Sequence, residues 1–243
     1  MRVAICFWGI CRSTDHTIES IENNIFSPLR NCGIDYDTFV HTYTLYTPYE
    51  NRRAGEYNLQ LKNTVWKLLK PTSVKVDHQA RIDTTLAFET YRHKGDPWGE
   101  DSDTTWQTFN NHIRALWSLK EVTLLWEASL NVYDAILYVR PDVRFSVPLN
   151  IEWLIFVPND SIVIPNFQLI NGVNDRFAIA RPNVAKIYGK RFDGALEYSK
   201  SHQLHSETYL WDVLMGGNIK VLPVYFPFCR IRANGLVHQG DLQ

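Results

Sequence analysis

A buried run that ends abruptly in charge, residues 133–145, constrains the fold more than any other part of the chain. Residues 135–139 are all apolar, which is the pattern of a central strand covered by helices on both faces. Arg140, Asp142 and Arg144 follow directly. Ligands of open α/β sheets bind outside the carboxyl ends of the strands, so this strand end predicts a site for an anion or a metal-bound phosphate. A salt-bridged strand end without a ligand is the alternative.

The opening of the chain predicts a strand, a glycine-containing loop and a helix. Residues 2–8 are β-branched and aromatic, and Gly9 begins the loop that leads to Arg12. Helical spacing of apolar residues then continues through residues 14–29. This geometry points backbone N–H groups and a helix N-terminus at an anion. The loop is neither a dinucleotide fingerprint nor a P-loop, because it lacks the required glycines and lysine.

Strand and helix patterns alternate along the rest of the chain. Strands are predicted over 35–43, 73–78, 160–165, 175–180 and 219–226, and helices over 58–69, 105–130, 151–156, 182–192 and 205–216. Residues 81–103 lack periodicity and are predicted to form a long loop, a candidate lid. The residues from Arg230 to Gln243 are predicted to be loop. The pattern indicates an α/β fold with a Rossmann-like, mostly parallel sheet flanked by helices, in a single domain.

Composition excludes several classes of protein. The 243 residues include 25 basic and 26 acidic ones, a balance that argues against a nucleic-acid partner. No apolar run approaches the ~18 residues of a membrane span, and residues 3–10 are too short for a signal peptide. The four cysteines form no C-x-x-C pair, so we expect free thiols, with Cys6 buried, and no zinc site. A cytoplasmic protein is therefore expected.

Polar residues end the second predicted strand. His41 and Thr42 stand where that strand should stop, on the same sheet edge as Arg12. They are candidates for contact with a nucleotide or its ribose. A hydrogen-bonded histidine without a ligand is the alternative for His41.

Five short motifs together resemble one family. They are Gly9–Ser13 (Gly-x-x-Arg), Asp37–Thr42 (Asp-x-Phe-x-His-Thr), Tyr133–Asp142 (Tyr-Asp…Arg-Pro-Asp), Asn174–Ile179 (with Asp-x-Phe) and His205–Glu207 (His-x-Glu). Over residues 1–235 their order and placement resemble small soluble GT-A-like glycosyltransferases of bacterial polysaccharide clusters and large algal viruses.

The resemblance implies an enzyme that transfers a hexosyl or pentosyl group from a nucleotide sugar, expected to be a UDP-sugar, to a hydroxyl of a glycan acceptor. Residues 1–145 would form the nucleotide-sugar half and residues 146–243 the acceptor-side half. The implied donor-binding residues are Gly9, Arg12, His41, Thr42, Arg140 and Asp142. Asp175 is the expected catalytic base and Glu207 the second candidate. Capping roles without chemistry are the alternatives for Asp175 and for the 205–207 segment.

One departure from the family bears on metal binding. GT-A enzymes carry Asp-x-Asp at this strand end to hold Mn²⁺ or Mg²⁺, and here Arg140 replaces the first aspartate. Asp142 with His205 could still hold the cation, or Arg140 could neutralise the diphosphate directly. A non-catalytic carbohydrate- or nucleotide-binding module stays open, as does another Rossmann-like enzyme such as a methyltransferase or nucleotidyltransferase. The sequence leaves open the sugar, the acceptor, the stereochemistry and the oligomeric state.

Overall fold

A seven-stranded mixed sheet forms the centre of the protein, which is described by a computed structural model over residues 1–99, 105–169 and 171–241. The strands are β1 Arg2–Trp8, β2 Asp35–Thr44, β3 Tyr49–Asn51, β4 Glu56–Leu59, β5 Ser73–His78, β6 Ala135–Val139, β7 Val143–Phe145, β8 Ser161–Pro165, β9 Phe177–Ala180, β10 Lys220–Val224 and β11 Phe228–Arg230. The α-helices are α1 Thr14–Ile21, α2 Ser27–Asn31, α3 Gln79–Leu86, α4 Gln107–Glu127, α5 Glu152–Phe156, α6 Pro182–Gly189, α7 Phe192–Ser201 and α8 Ser206–Gly216.

The strand order creates one topological switch point. The order is β10-β8-β9-β6-β1-β2-β5, and all neighbours are parallel except that β9 runs antiparallel to β6 and β8. This confirms the predicted mostly parallel sheet. The chain starts at β1, builds outwards through β2 to β5, and then returns to β6 on the other side of β1. The crevice outside the carboxyl ends of β1 and β6 is therefore where the topology favours a ligand.

Two apolar layers cover the two faces of the sheet. Alternate residues of β1 and β6 face opposite layers, as the two-residue period of a strand requires. Leu137 packs in the layer that includes α1, while Ile136 and Tyr138 pack in the layer formed with α4, α6 and α8. Every residue of β6 is buried, which confirms the prediction drawn from its continuous apolar run.

Several predicted elements differ from the observed ones. The predicted helix over 58–69 is wrong: β4 and a 3₁₀ turn, Val65–Leu69, occupy that segment. Val65 and Leu69 are both buried, so a single turn produces the four-residue apolar spacing that resembles a longer helix. The segment 81–103, predicted as loop, contains most of α3, which two hydrogen bonds from Arg114 to Asp83 hold against α4. Residues 100–103 lie outside the described residues.

Other boundaries agree more closely. The predicted helix over 14–29 is observed as α1 and α2 joined by a π-helical turn, Glu22–Phe26. The tail predicted as loop begins in β11, which pairs with β7, and α7 had no counterpart in the prediction. All four cysteines are free and Cys6 is buried, as expected. None of the described helices has the length and apolarity needed to cross a membrane.

Asp37 ties the amino ends of three strands together. Its carboxylate accepts hydrogen bonds from Arg2 Nε at 2.8 Å, Asn131 Nδ2 at 2.9 Å and the Tyr133 hydroxyl at 2.9 Å. Burial would raise the pKa of Asp37, but the hydrogen bonds from Arg2 and Tyr133 outweigh it and lower that pKa. This end of the predicted Asp37–Thr42 motif is therefore structural, and it lies at the sheet edge opposite the switch point.

We expect Asp37→Asn to lower the free energy of unfolding by about 2 kcal/mol at pH 7, because it weakens three hydrogen bonds, of which the one from Tyr133 is buried and the other two are partly buried. A lowered folded-state pKa contributes stability above the unfolded value, and that stability is lost as the pH falls through the folded pKa. The difference from the native protein should therefore shrink below about pH 4. Urea denaturation at several pH values measures this difference in the free energy of unfolding. Asp35→Asn, at an exposed position of the same strand, is the matched control, and an equal loss there would contradict this role of Asp37.

Candidate functional site

Two arginines converge on one buried aspartate at the switch point. Arg12, in the loop after β1, places Nη2 2.8 Å from Asp142 Oδ2. Arg140, directly after β6, donates from Nε to Oδ1 at 2.8 Å and from Nη2 to Oδ2 at 2.7 Å. Asp142 has 0% exposure, and burial alone would raise its pKa, but Arg140 and Arg12 reverse the effect and hold it well below its usual range. The carboxylate is charged and fixes both guanidinium groups in place.

The hairpin of β3 and β4 closes the other side of Arg12. Arg12 Nη1 donates to the Tyr49 hydroxyl and lies 3.6 Å from Glu56 Oε2. Arg232, from the C-terminal segment, approaches the same carboxylate oxygen at 3.9 Å. Burial and the nearby Arg12 lower the pKa of Arg232 to about 10. Three guanidinium groups therefore share two carboxylates, which leaves a local positive charge that suits an anion.

The start of β9 brings a second group of charges to the same edge. Because β9 is antiparallel to β6, its first residues lie beside the carboxyl end of β6, and Arg140 N donates to Arg176 O at 3.3 Å. Arg176 Nη1 lies 3.5 Å from Asp175 Oδ1, and its Nη2 donates to Glu207 Oε1 at 3.2 Å. Burial would raise the pKa of Asp175, but Arg176, Arg191 and Arg140 outweigh it and lower that pKa. Asp175 is thus an ionised carboxylate.

Glu207 and His205 belong to this second group. Glu207 is buried and accepts a hydrogen bond from the Ser206 hydroxyl. His205 Nδ1 lies 3.6 Å from Glu207 Oε2, and its ring packs against Trp98 with the centroids 5.5 Å apart. The start of α8 packs closely against the loop before β9, since a Cβ at Gly172 would collide with the Glu207 carbonyl.

His41 and Thr42 are held by contacts within the protein. The strand β2 continues to Thr44, so His41 lies inside it and is fully buried. Its Nδ1 lies 2.7 Å from Ser118 Oγ and its Nε2 lies 3.0 Å from Asp77 Oδ2. Thr42 Oγ1 accepts a hydrogen bond from Cys11 N at 3.0 Å. These contacts position the strand end and the Arg12 loop, and direct contact with a nucleotide stays a prediction for both residues.

Gly9 has a local conformational reason to be glycine. Its φ is +93°, a backbone conformation that disfavours other residues. Gly9 N donates to Ser118 Oγ at 2.7 Å, and the same hydroxyl contacts His41. Ser118 of α4 therefore links the turn after β1 to the neighbouring strand β2.

The residues around Asp142 do not fit a divalent cation. Both carboxylate oxygens already accept hydrogen bonds from guanidinium groups, and Arg140 places a positive charge where a cation would need a ligand. His205 contacts Glu207 and Trp98. Within residues 1–99, 105–169 and 171–241, no three His, Cys, Asp or Glu side chains are grouped as metal ligands. The assignment of Asp142 and His205 to a metal stays a prediction, and these contacts weigh against it.

A polar groove of about 310 Å³ lies between the β3–β4 hairpin and α4. Tyr49, which contacts Arg12, forms part of its wall. Another wall is one face of α4, with side chains at i, i+3, i+4 and i+7: Gln107, Asn110, Asn111 and Arg114. Arg92 donates to Asn110 Oδ1 and Arg114 donates to Asn111 Oδ1, which fixes the two amides. The volume and the amide groups suit a small polar ligand.

Sequence reasoning missed four residues that surround these two groups: Tyr49, Glu56, Arg232 and Arg191. Each lies in a segment without a recognisable motif, and only folding brings it to the edge. A helical projection of α4 would have shown the polar face that includes Asn110 and Asn111. No family model matches the chain, and no curated protein matches it.

We expect Asp142→Asn to destabilise the protein by about 3 kcal/mol, because removing one partner of a buried ion pair leaves Arg12 and Arg140 uncompensated. Urea denaturation measures the loss. Asp160→Asn, which removes an exposed partner of Lys220, should change the stability by no more than about 0.5 kcal/mol. Equal effects of the two substitutions would mean that the buried pair does not hold the site together.

Proposed function

We propose that the protein is a nucleotide-sugar-dependent glycosyltransferase of GT-A-like fold that transfers a sugar from a UDP-sugar to a glycan hydroxyl. One observation carries the proposal: Arg12 and Arg140 converge on Asp142 at the switch point, with the ionised Asp175 across Arg140. The free thiols suit a reducing compartment such as the cytoplasm.

The donor diphosphate binds at Arg12 and Arg140, with Arg232 adding charge. Guanidinium groups bind phosphate oxygens through paired hydrogen bonds. Asp142 holds the two guanidinium groups before the ligand arrives, so little reorganisation is needed. The same positive charge stabilises the nucleoside diphosphate as it leaves. The nucleoside lies in the groove beside Tyr49, where amide groups of α4 contact its polar edges.

Asp175 accepts the proton of the acceptor hydroxyl as the sugar is transferred. Its Oδ1 accepts no hydrogen bond among the described residues, although Arg176 Nη1 lies 3.5 Å away, so this oxygen is the one available to accept a proton. Glu207 is less suited to this role, because Arg176 and Ser206 already occupy its carboxylate. As the bond between the sugar and the diphosphate breaks, the sugar gains oxocarbenium-like character. The nearby Asp175 carboxylate stabilises that positive charge.

A non-catalytic sugar- or nucleotide-binding module is the second candidate. The observation that favours it is the lowered pKa of Asp175, because an effective general base has a pKa closer to the working pH. Release of free sugar from a UDP-sugar without an acceptor separates the two functions, since only an enzyme hydrolyses its donor.

The donor site is tested by titrating UDP into the protein in a calorimeter. We expect Arg12→Gln to weaken UDP binding by about 10- to 100-fold, through the loss of charge-assisted hydrogen bonds. Arg30→Gln, at an exposed position on α2, should leave the affinity unchanged. Because the contacts of Asp142 do not fit a cation, EDTA should also leave it unchanged. Unaltered UDP affinity in Arg12→Gln would show that Arg12 does not bind the diphosphate. UDP binding that requires Mn²⁺ would show that the site does hold a cation.

The catalytic role of Asp175 is tested by separating binding from turnover. Asp175→Asn should retain UDP affinity but slow the hydrolysis of the UDP-sugar that the native protein accepts by about 10²- to 10⁴-fold, the contribution of a positioned general base. Asp193→Asn, a change at the exposed start of α7, serves as the control. Native turnover in Asp175→Asn would exclude Asp175 as the base, and a native protein that binds UDP-sugars without hydrolysing them would favour the binding module.

A further inference from the structure

A cluster of buried polar atoms lies on the acceptor side of Arg140. The Nε2 atom of His112 and the Nε atom of Arg191 have no hydrogen-bond partner among the described residues. The Oδ1 atom of Asp175 accepts no hydrogen bond either, although Arg176 Nη1 lies 3.5 Å from it. Leaving a buried polar atom unpaired costs about 1–3 kcal/mol, and such atoms are rare in folded proteins. Their presence on His112, Asp175 and Arg191 indicates a place where a polar ligand completes the hydrogen bonding.

His112 and Asp175 are the central pair of this cluster. Each is only 8% exposed, and they come from different elements, α4 and the loop before β9. The two groups are close enough that Asp175 raises the pKa of His112 while His112 lowers that of Asp175. Burial dominates for His112 and lowers its pKa to about 3, so the ring is neutral at physiological pH. A neutral imidazole and a carboxylate are hydrogen-bonding partners for a hydroxyl group.

An aromatic wall stands beside the pair. Trp98 packs edge-on against His112, with the ring centroids 5.6 Å apart, and at 5.5 Å against His205. A further edge contact to Phe109, at 6.4 Å, holds the indole on α4. Trp98 is half-buried, so part of its ring faces outwards. An indole with an apolar body beside unpaired polar atoms matches a sugar ring, which has apolar C–H faces and polar hydroxyls.

We propose that His112, Asp175 and Trp98 form a subsite for one pyranose ring of the acceptor, with a sugar hydroxyl held between His112 Nε2 and Asp175 Oδ1. This subsite rests on the proposed function, and it adds His112 and Trp98 to the residues that contact substrate. The neutral His112 hydrogen-bonds the hydroxyl and orients it, while the ionised Asp175 takes its proton. Trp98 packs against the ring of the same sugar.

The test uses saturation-transfer difference NMR to measure the binding of methyl pyranosides to the UDP-saturated protein. The probes are the methyl glycosides of glucose, galactose, mannose and N-acetylglucosamine. At least one should bind the native protein, and His112→Phe should weaken it about tenfold, the effect of one lost hydrogen bond. His112→Gln retains an N–H close to the position of Nε2 and should restore binding to within about twofold of native.

Matched controls keep the outcome clear. His93→Gln, at an exposed position of the segment that carries Trp98, should bind as the native protein does, and Trp98→Ala should weaken binding. Thermal unfolding of each variant shows that it is folded. Native-like binding by His112→Phe overturns the subsite, as does the failure of every glycoside to bind a protein that binds UDP. The second result leaves the proposed function standing, whereas a native protein that binds no UDP contradicts the proposed function itself.

Discussion

The buried contact of Asp142 with two arginines is the interaction on which the rest of this edge depends. Asp142 comes from the strand end after β6, and Arg12 comes from the loop after β1. The backbone reinforces the pairing, because Ile231 N donates to Asp142 O at 2.8 Å and Ser13 Oγ donates to Ile231 O at 2.9 Å. A buried carboxylate is stable only with such partners. One charge therefore fixes the amino-terminal loop, the central strand and the C-terminal segment together.

The same interaction explains why the site favours an anion over a cation. A carboxylate that is already neutralised by two guanidinium groups orients them and has little capacity left for a metal. Arg232 adds a third positive group, and the Glu56 carboxylate that it approaches is shared with Arg12. In the proposed enzyme, fixed arginines take the electrostatic role that a metal ion has in other phosphate-transferring sites.

The two sides of the edge differ in how their charged groups are held. On the donor side, both oxygens of Asp142 accept hydrogen bonds from Arg12 or Arg140, which makes a preformed anchor, although Arg12 Nε has no hydrogen-bond partner among the described residues. On the acceptor side, His112 and Asp175 retain unpaired atoms although both are buried. Such unpaired groups destabilise a folded protein unless something binds them. The protein therefore tolerates a local loss of stability at the place where, in our proposal, the acceptor sugar supplies the missing hydrogen-bond partners.

The sequence alone determined the class of fold and the places of Arg140 and Asp142 in it. The apolar run of β6 could only be a strand buried on both faces, and Arg140 and Asp142 had to follow it at the carboxyl edge. Strand pairing was needed to show that Asp37 and His41, four residues apart in one motif, are held by different contacts within the protein, Asp37 near the amino end of β2 and His41 inside it. The partnership of Arg12 with Glu56 and Arg232, and of His112 with Asp175, depended on the tertiary structure alone. Side-chain contacts between segments far apart in the chain leave no local periodicity, because they are set by how the elements pack and not by the residues beside them.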